Sequence, residues 1–241
     1  MGRRGGCRGR AWLRGLPAAH TSYRRAGRPG RAAVTRTAVM RLKRADPVLR
    51  EVIERVGPCR FAARVEGTHF DALVRAILYQ QLSGKAAATI HGRLRDHFGG
   101  RDPLPPELLA APEPALRAAG VSRQKLGYLR DLARHAVDGS LPLDRVESLD
   151  DDAVIDALVA VKGVGRWTAQ MFLMFRLGRP DVLPELDLGV QKGIQLAYGL
   201  KSLPGPKDVI RIGAPWAPWR SVASWYMWRM LDNGDGQGGT M

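Results

Sequence analysis

Apolar positions along this chain recur at intervals of three and four residues, the spacing of a helix face, and no stretch alternates convincingly at strand spacing. From Leu42 to Val56 the pattern predicts a helix with Val48, Val52 and Val56 in line, stopped by Gly57-Pro58. Thr68 is placed as a helix N-cap with Asp71 three residues on, and Phe70, Leu73, Val74, Ile77 and Leu78 then form one apolar face. A break at Ser83-Gly84 precedes a helix over 85–97 that runs into Gly99-Gly100. The proline-rich stretch 102–114 predicts a loop carrying one or two short helices. Ser122 is set to cap a helix lined by Leu126, Leu129, Ala133 and Val137, and Asp150 or Asp151 to open a shorter one. A further helix is expected over 188–200, and Val222, Trp225, Tyr226 and Met230 keep helical spacing near the C-terminus. The expected fold class is all-α.

One stretch departs from this regular patterning. After Val159 and Val161, the run Lys162-Gly163-Val164-Gly165-Arg166 places two glycines just before a long helical pattern that begins at Trp167. Glycine has no Cβ and tolerates positive φ, so the run can form a tight hairpin whose backbone closely approaches a ligand. The helix that follows opens with unpaired N–H groups and the positive end of its dipole, a combination that favours phosphate. Asp187 stands 22 residues beyond Gly165, where the next helix begins. An anion-grasping hairpin followed by a single carboxylate suggests DNA held while chemistry is done on it.

Composition narrows the alternatives. The 241 residues carry a formal charge of +15, but residues 1–40 hold ten of the 38 Lys and Arg and no acid, so the remainder is only mildly basic. That body permits nucleic-acid binding without demanding it. Two cysteines, Cys7 and Cys59, are too few for a disulfide framework or a four-cysteine iron–sulfur cluster, and suit a reducing, cytoplasmic setting. No apolar run approaches the ~20 residues of a membrane helix, so no membrane partner is expected. His20, His69, His91, His97 and His135 lie apart without paired ligand spacing, so no metal site is expected. No P-loop is present, and neither a redox nor a nucleotide cofactor is anticipated.

Four segments in order, Leu78-Tyr-Gln-Gln-Leu-Ser83, Val161-Lys-Gly-Val-Gly-Arg-Trp-Thr-Ala169, Pro184-Glu-Leu-Asp-Leu-Gly189 and Pro218-Trp-Arg-Ser-Val-Ala223, resemble the helix–hairpin–helix DNA glycosylases with a Gly/Pro-rich loop and catalytic aspartate. Within that superfamily the chain is similar to the alkylation-repair branch, 3-methyladenine DNA glycosylase II, over about residues 42–232. The resemblance implies a helical bundle in two lobes with the active-site cleft between them. With the first helix near residue 42, no room remains for the β-rich N-terminal domain of some relatives, which makes this the compact form. It implies Asp187 as the catalytic carboxylate, with helix capping as its ordinary alternative role. It further implies that Lys162, Gly163, Val164, Gly165 and Arg166 grip a DNA phosphate, with hairpin carbonyls able to hold a structural monovalent cation. Gln81 or Leu82 would fill the gap left by a flipped base, against the ordinary reading of Leu82 as core. Trp167 stands where bifunctional relatives carry the Schiff-base lysine, which implies a monofunctional enzyme. Trp167, Tyr79 and Trp219 are candidates for the base pocket, while most of the aromatics at Trp216, Trp219, Trp225, Tyr226 and Trp228 read as core. Glu185 and Asp181 lie off the motif position and read as solvated.

The expected organisation is a disordered Arg/Gly-rich leader over 1–40, a glycosylase domain over 41–232 and a flexible tail over 233–241. The leader reads as upstream sequence before a true start at Met40, with a basic DNA arm or an organelle transit peptide as alternatives. The expected partner is duplex DNA containing alkylated bases, bound by a monomer associated with a bacterial nucleoid. Two rivals remain: a glycosylase for uracil or another non-alkylated base, and a non-catalytic module that uses only the hairpin to bind DNA.

Overall fold

The computed structural model describes residues 31–64 and 66–232. Twelve α-helices run through them: α1 (Arg31–Ala45), α2 (Pro47–Val56), α3 (His69–Tyr79), α4 (Gly84–His97), α5 (Pro105–Ala110), α6 (Glu113–Ala118), α7 (Arg123–Val137), α8 (Asp151–Val159), α9 (Arg166–Phe172), α10 (Leu188–Ala197), α11 (Pro206–Gly213) and α12 (Arg220–Asp232). No strand occurs among the described residues, in keeping with the all-α expectation. The termini over 1–30 and 233–241, with the expectations that fall on them, lie outside the described residues.

Caps fix most of the helix starts. At α3 the Thr68 hydroxyl accepts from Asp71 N at 3.1 Å while the Asp71 carboxylate accepts from Thr68 N at 2.7 Å, the reciprocal box its sequence spells. Ser83, Ser122 and Asp150 cap α4, α7 and α8 with the first of these bonds alone, each side chain accepting from the amide three residues on. All five residues of the predicted α3 face are buried, as are Leu126, Leu129 and Ala133 on α7. Val137 is instead exposed, because α7 ends there beyond the edge of the core, and Leu132 takes its place inside.

Two expectations near the N-terminus are corrected. The chain is already helical from Arg31, and Ala38 and Leu42 of α1 are fully buried, so residues 31–40 belong to the folded body rather than the leader. The single helix expected over 42–56 is two helices divided at Asp46. Pro47 lacks an N–H and disfavours helical geometry in the residue before it, and Asp46 accordingly sits at φ −145° and ψ 111°. Proline then occupies the first position of α2, where its missing donor costs nothing. The buried face of α2 is Leu49, Val52 and Ile53, with Val48 and Val56 at its margins. The Asp-Pro dipeptide carried this signal.

The apolar residues gather into two cores. One joins α3, α7, α8 and α9 through Leu73, Ile77, Leu129, Leu158 and Phe172. The other joins α1, α2, α10 and α12 through Leu42, Leu49, Ile194 and Tyr226, with Trp216 from the turn before α12. Phe61 and Trp228 touch both, so the seam between the lobes runs past these two rings. In the second lobe α10 and α12 approach backbone to backbone. A Cβ on Gly193 would stand 2.4 Å from Met227 O, so only glycine fits.

Asp46 ties this lobe together. One carboxylate oxygen accepts from Val48 N at 2.9 Å and Leu49 N at 3.0 Å, capping α2. The other accepts from the buried Trp216 indole at 2.9 Å and from the Tyr198 hydroxyl. Burial, reinforced by that carboxylate, pushes the Tyr198 phenol far above its ordinary range, so the hydroxyl remains a donor. Asp46→Ala removes the cap and strands the buried Trp216 indole and the half-buried Tyr198 hydroxyl, and is expected to destabilise the fold by about 3 kcal/mol. Urea unfolding of both proteins measures this; a loss below about 1 kcal/mol would mean that the cluster contributes little beyond an ordinary cap.

Candidate active site

Asp187 is the N-cap of α10, and its carboxylate is held by three donors from three helices. One oxygen accepts from Val190 N at 2.7 Å and from the Trp228 indole N–H of α12 at 2.8 Å. The other accepts from the Trp167 indole N–H of α9 at 2.7 Å. The residue is 9% exposed. The capping role expected of Asp187 is therefore present. A carboxylate has about four acceptor positions, and three are engaged here, which fixes the charge in direction as well as place. The remaining position belongs to the oxygen that accepts from Trp167, a residue 42% exposed.

Local sequence explains how the two indoles arrive. Gly189 lies in the first turn of α10, where a Cβ would stand 2.7 Å from the Trp228 ring; its absence lets the indole cross the helix and reach the cap. Trp228 is backed by Phe175 at 5.7 Å between ring centres and 31° between planes, and Phe175 in turn by Phe61 at 5.7 Å. Phe175 sits in a π-helical turn, Leu173–Leu177, that continues α9 and ends at left-handed Gly178. Such a turn rotates the side chains that follow it away from ordinary helical register.

Trp228 is the residue the sequence reading missed. Grouped with the C-terminal aromatics as core, it lies two positions from Tyr226, off the Val222–Tyr226–Met230 stripe. A tryptophan off the buried stripe of its own helix is the signal that could have found it. Trp216 and Tyr226, by contrast, are fully buried as expected of core. Trp219, just before α12, is half-buried in the second lobe with its indole N–H enclosed and unpartnered among the described residues. Tyr79 is not joined to the Asp187 group by any of its ring contacts. It packs edge-on against His91 at 6.4 Å and beneath the Arg75 guanidinium at 4.2 Å.

The other acids near the motif are not solvated as expected. Glu185 accepts from Gln170 Nε2 at 2.7 Å and Arg166 Nε at 3.1 Å. Burial pushes its carboxyl up, but these hydrogen bonds outweigh burial and hold it below the usual carboxylate range. Asp181 forms a two-point pair with Arg220 at 2.7 and 2.8 Å and also caps α12. Both acids are committed to structure, which leaves Asp187 as the carboxylate that meets the exposed aromatic surface.

The hairpin forms as its glycines predict, with different duties for each. Gly163 adopts φ +81° and presses on Tyr128 of α7, whereas Gly165 is extended at φ −91° and serves as N-cap of α9. Val164 is buried. Lys162 N donates to Asp131 at 2.9 Å, and Gly163 O accepts from Gln80 Nε2 at 2.9 Å. The Asp131 carboxyl feels burial upward, but the Lys162 amide, His135 and Arg134 together hold it below its ordinary value. The first helical bond of α9 runs from Ala169 N to Gly165 O, so the amides of Gly165, Arg166 and Trp167 precede the ladder. Beyond α3, Gln81 is held at φ +57°, and both Gln81 and Leu82 are exposed, Leu82 by 40%. The core reading of Leu82 is thereby excluded.

Comparison with known proteins agrees with this geometry. Residues 74–218 match the model of the HhH-GPD superfamily base excision DNA repair proteins. DNA-3-methyladenine glycosylase 1 of Schizosaccharomyces pombe is 34% identical over 162 residues, 66% of this chain and 71% of that protein. The solved structure of a 3-methyladenine DNA glycosylase from the same yeast, in complex with abasic DNA, superposes with a TM-score of 0.71 at 32% identity, covering 80% of this chain and 95% of that one. A DNA-3-methyladenine glycosidase from Bacillus halodurans gives a TM-score of 0.73 at 38% identity, over 79% of this chain and 87% of its own. With its hairpin, its capped aspartate and its two-lobed helical body in register, the chain belongs to the HhH-GPD superfamily of base excision DNA repair proteins.

Proposed function

We propose that this protein is a monofunctional DNA glycosylase that hydrolyses the N-glycosidic bond of alkylated purines, of the 3-methyladenine and 7-methylguanine type, in duplex DNA. The observation that carries the reading is the Asp187 carboxylate, fixed by three hydrogen bonds beside an exposed indole. Departure of the base moves positive charge onto an oxocarbenium-like deoxyribose, and a negative charge preoriented toward the sugar stabilises that state more than the ground state, in which the charge sits on the base. The engaged oxygens favour this electrostatic role, and the remaining acceptor position can orient one water toward the sugar. Alkylation at purine N3 or N7 makes the base cationic and a good leaving group, so little acid catalysis is needed. An electron-poor ring also suits stacking on tryptophan, with Trp167 and Trp228 as the surfaces nearest the carboxylate.

Duplex DNA would be gripped by the amides at the start of α9, with Lys162 and Arg166 adding charge. Gln81 or Leu82 would fill the stack vacated by the flipped base. A monovalent cation on the hairpin carbonyls belongs to the same proposal. Val161 O and Gly163 O each already accept one hydrogen bond, and each keeps a second lone pair for such an ion. Trp167 offers no amine for a Schiff base, which supports hydrolysis without strand cleavage. The protein is taken to act as a monomer on cytoplasmic, nucleoid DNA. A uracil-specific relative would need directed hydrogen-bond partners for the base, and a purely DNA-binding module would have no use for the Asp187 constellation.

Asp187→Asn is expected to lower release of methylated purines by about a hundredfold or more while DNA affinity stays within a fewfold of wild type. Single-turnover release and a binding titration on the same duplex measure both, and equal release by the two proteins would remove Asp187 from the mechanism. Trp228→Phe keeps a ring against Phe175 but deletes one donor to the carboxylate, and is expected to slow release by about ten- to a hundredfold with little loss of fold stability. An unchanged rate would mean that Val190 N and Trp167 suffice to hold Asp187.

A further inference from the structure

One face of α7, far from Asp187 in sequence, reaches both loops that would engage DNA. Lys125, Tyr128 and Asp131 are spaced three residues apart and so project from one side of the helix. Lys125 Nζ donates to Leu78 O at 2.5 Å and to Gln80 O at 2.8 Å, the terminal carbonyls of α3. Tyr128 lies under the hairpin, its ring 2.2 Å from where a Cβ on Gly163 would be, and Gln124 fixes its hydroxyl at 2.8 Å. Asp131 accepts from Lys162 N at 2.9 Å. The two loops are also joined directly, through Gln80 Nε2 and Gly163 O.

The Lys125 contacts matter because of the residue they precede. The chain leaves α3 by long closing bonds, Gln80 N to Ile77 O and Leu82 N to Tyr79 O, both at 3.4 Å. Between them Gln81 is held at φ +57°, a left-handed conformation that a non-glycine residue adopts only at some cost. A cation at a helix C-terminus satisfies carbonyls that have no partner within the helix and opposes the negative end of its dipole. Here that cation comes from another helix, the same one that seats the hairpin.

We infer that Lys125 is a positioning residue for base flipping: by gripping the end of α3 it holds the Gln81–Leu82 loop at a fixed offset from the phosphate-binding hairpin seated on the same helix. The inference rests on the glycosylase reading above. An insertion loop is needed only where a stack must be opened and refilled, so its misplacement should slow reaction on paired DNA and spare a target base that is already unstacked. A shift of about an ångström in such a loop is enough for large rate losses.

The test is single-turnover release of 7-methylguanine from one methylated oligonucleotide, presented as a duplex and as a single strand, by wild type, Lys125→Met, Lys125→Arg and Gln80→Met. The expected result is a fall of about tenfold or more on duplex for Lys125→Met, a change under about threefold on the single strand, and partial recovery with Lys125→Arg. Gln80→Met, which removes only the bridge to Gly163, should show the same duplex-selective loss if Lys125→Met does not fold. An equal fall on both substrates, or no fall on either, would overturn the inference. Wild type inactive on both substrates would overturn the glycosylase reading itself, a distinct result because the variants then have no activity to lose.

Discussion

The site depends on how one negative charge is kept in place. Asp187 sits at the start of α10 with its carboxylate held by the amide of Val190 and the indoles of Trp167 and Trp228, which brings three helices to one point. Each donor comes from a differently constrained part of the fold. The amide is supplied by the helix the aspartate caps. Trp228 is supplied by α12, whose close approach depends on Gly193 and whose indole passes over Gly189. Trp167 follows directly from the hairpin. The hairpin and the Asp187 carboxylate are thus linked directly through Trp167, and movement of one would be felt by the other.

Other charges in the chain serve to build that arrangement. Asp46 joins α2 to Trp216 and Tyr198, Asp181 ties the segment before α10 to Arg220 at the start of α12, and Glu185 ties Arg166 to Gln170. Each satisfies several donors at once, as a buried or half-buried carboxylate must if it is not to weaken the fold. Asp187 differs because its surroundings open onto an exposed aromatic rather than closing over it. That difference in environment, rather than residue type, is what singles out Asp187 from the three structural carboxylates as the proposed reacting group.

Much of this was legible in the sequence, for reasons that can be named. Helix starts at Thr68, Ser83, Ser122, Asp150 and Asp187 were readable because a cap is a local interaction among residues three apart. The hairpin was readable because its glycines are a backbone requirement, although only Gly163 takes positive φ. The break at Asp46-Pro47 was equally local and was passed over because apolar spacing continued across it. The partners of Asp187 were of another kind. Trp228 lies 41 residues away, and nothing local says that α12 will deliver its indole over a glycine on α10. For the same reason Glu185 and Asp181 read as solvated, since Gln170 and Arg220 reach them only through the tertiary fold.

The most direct measurement is the product of wild-type protein acting on duplex DNA treated with a methylating agent. Free methylated purine should appear together with abasic strands that remain intact until alkali is added. Strand cleavage without alkali would contradict the hydrolytic role drawn from Trp167, and absence of any released base would contradict the central claim that Asp187 and its three donors form a catalytic site for alkylated purines.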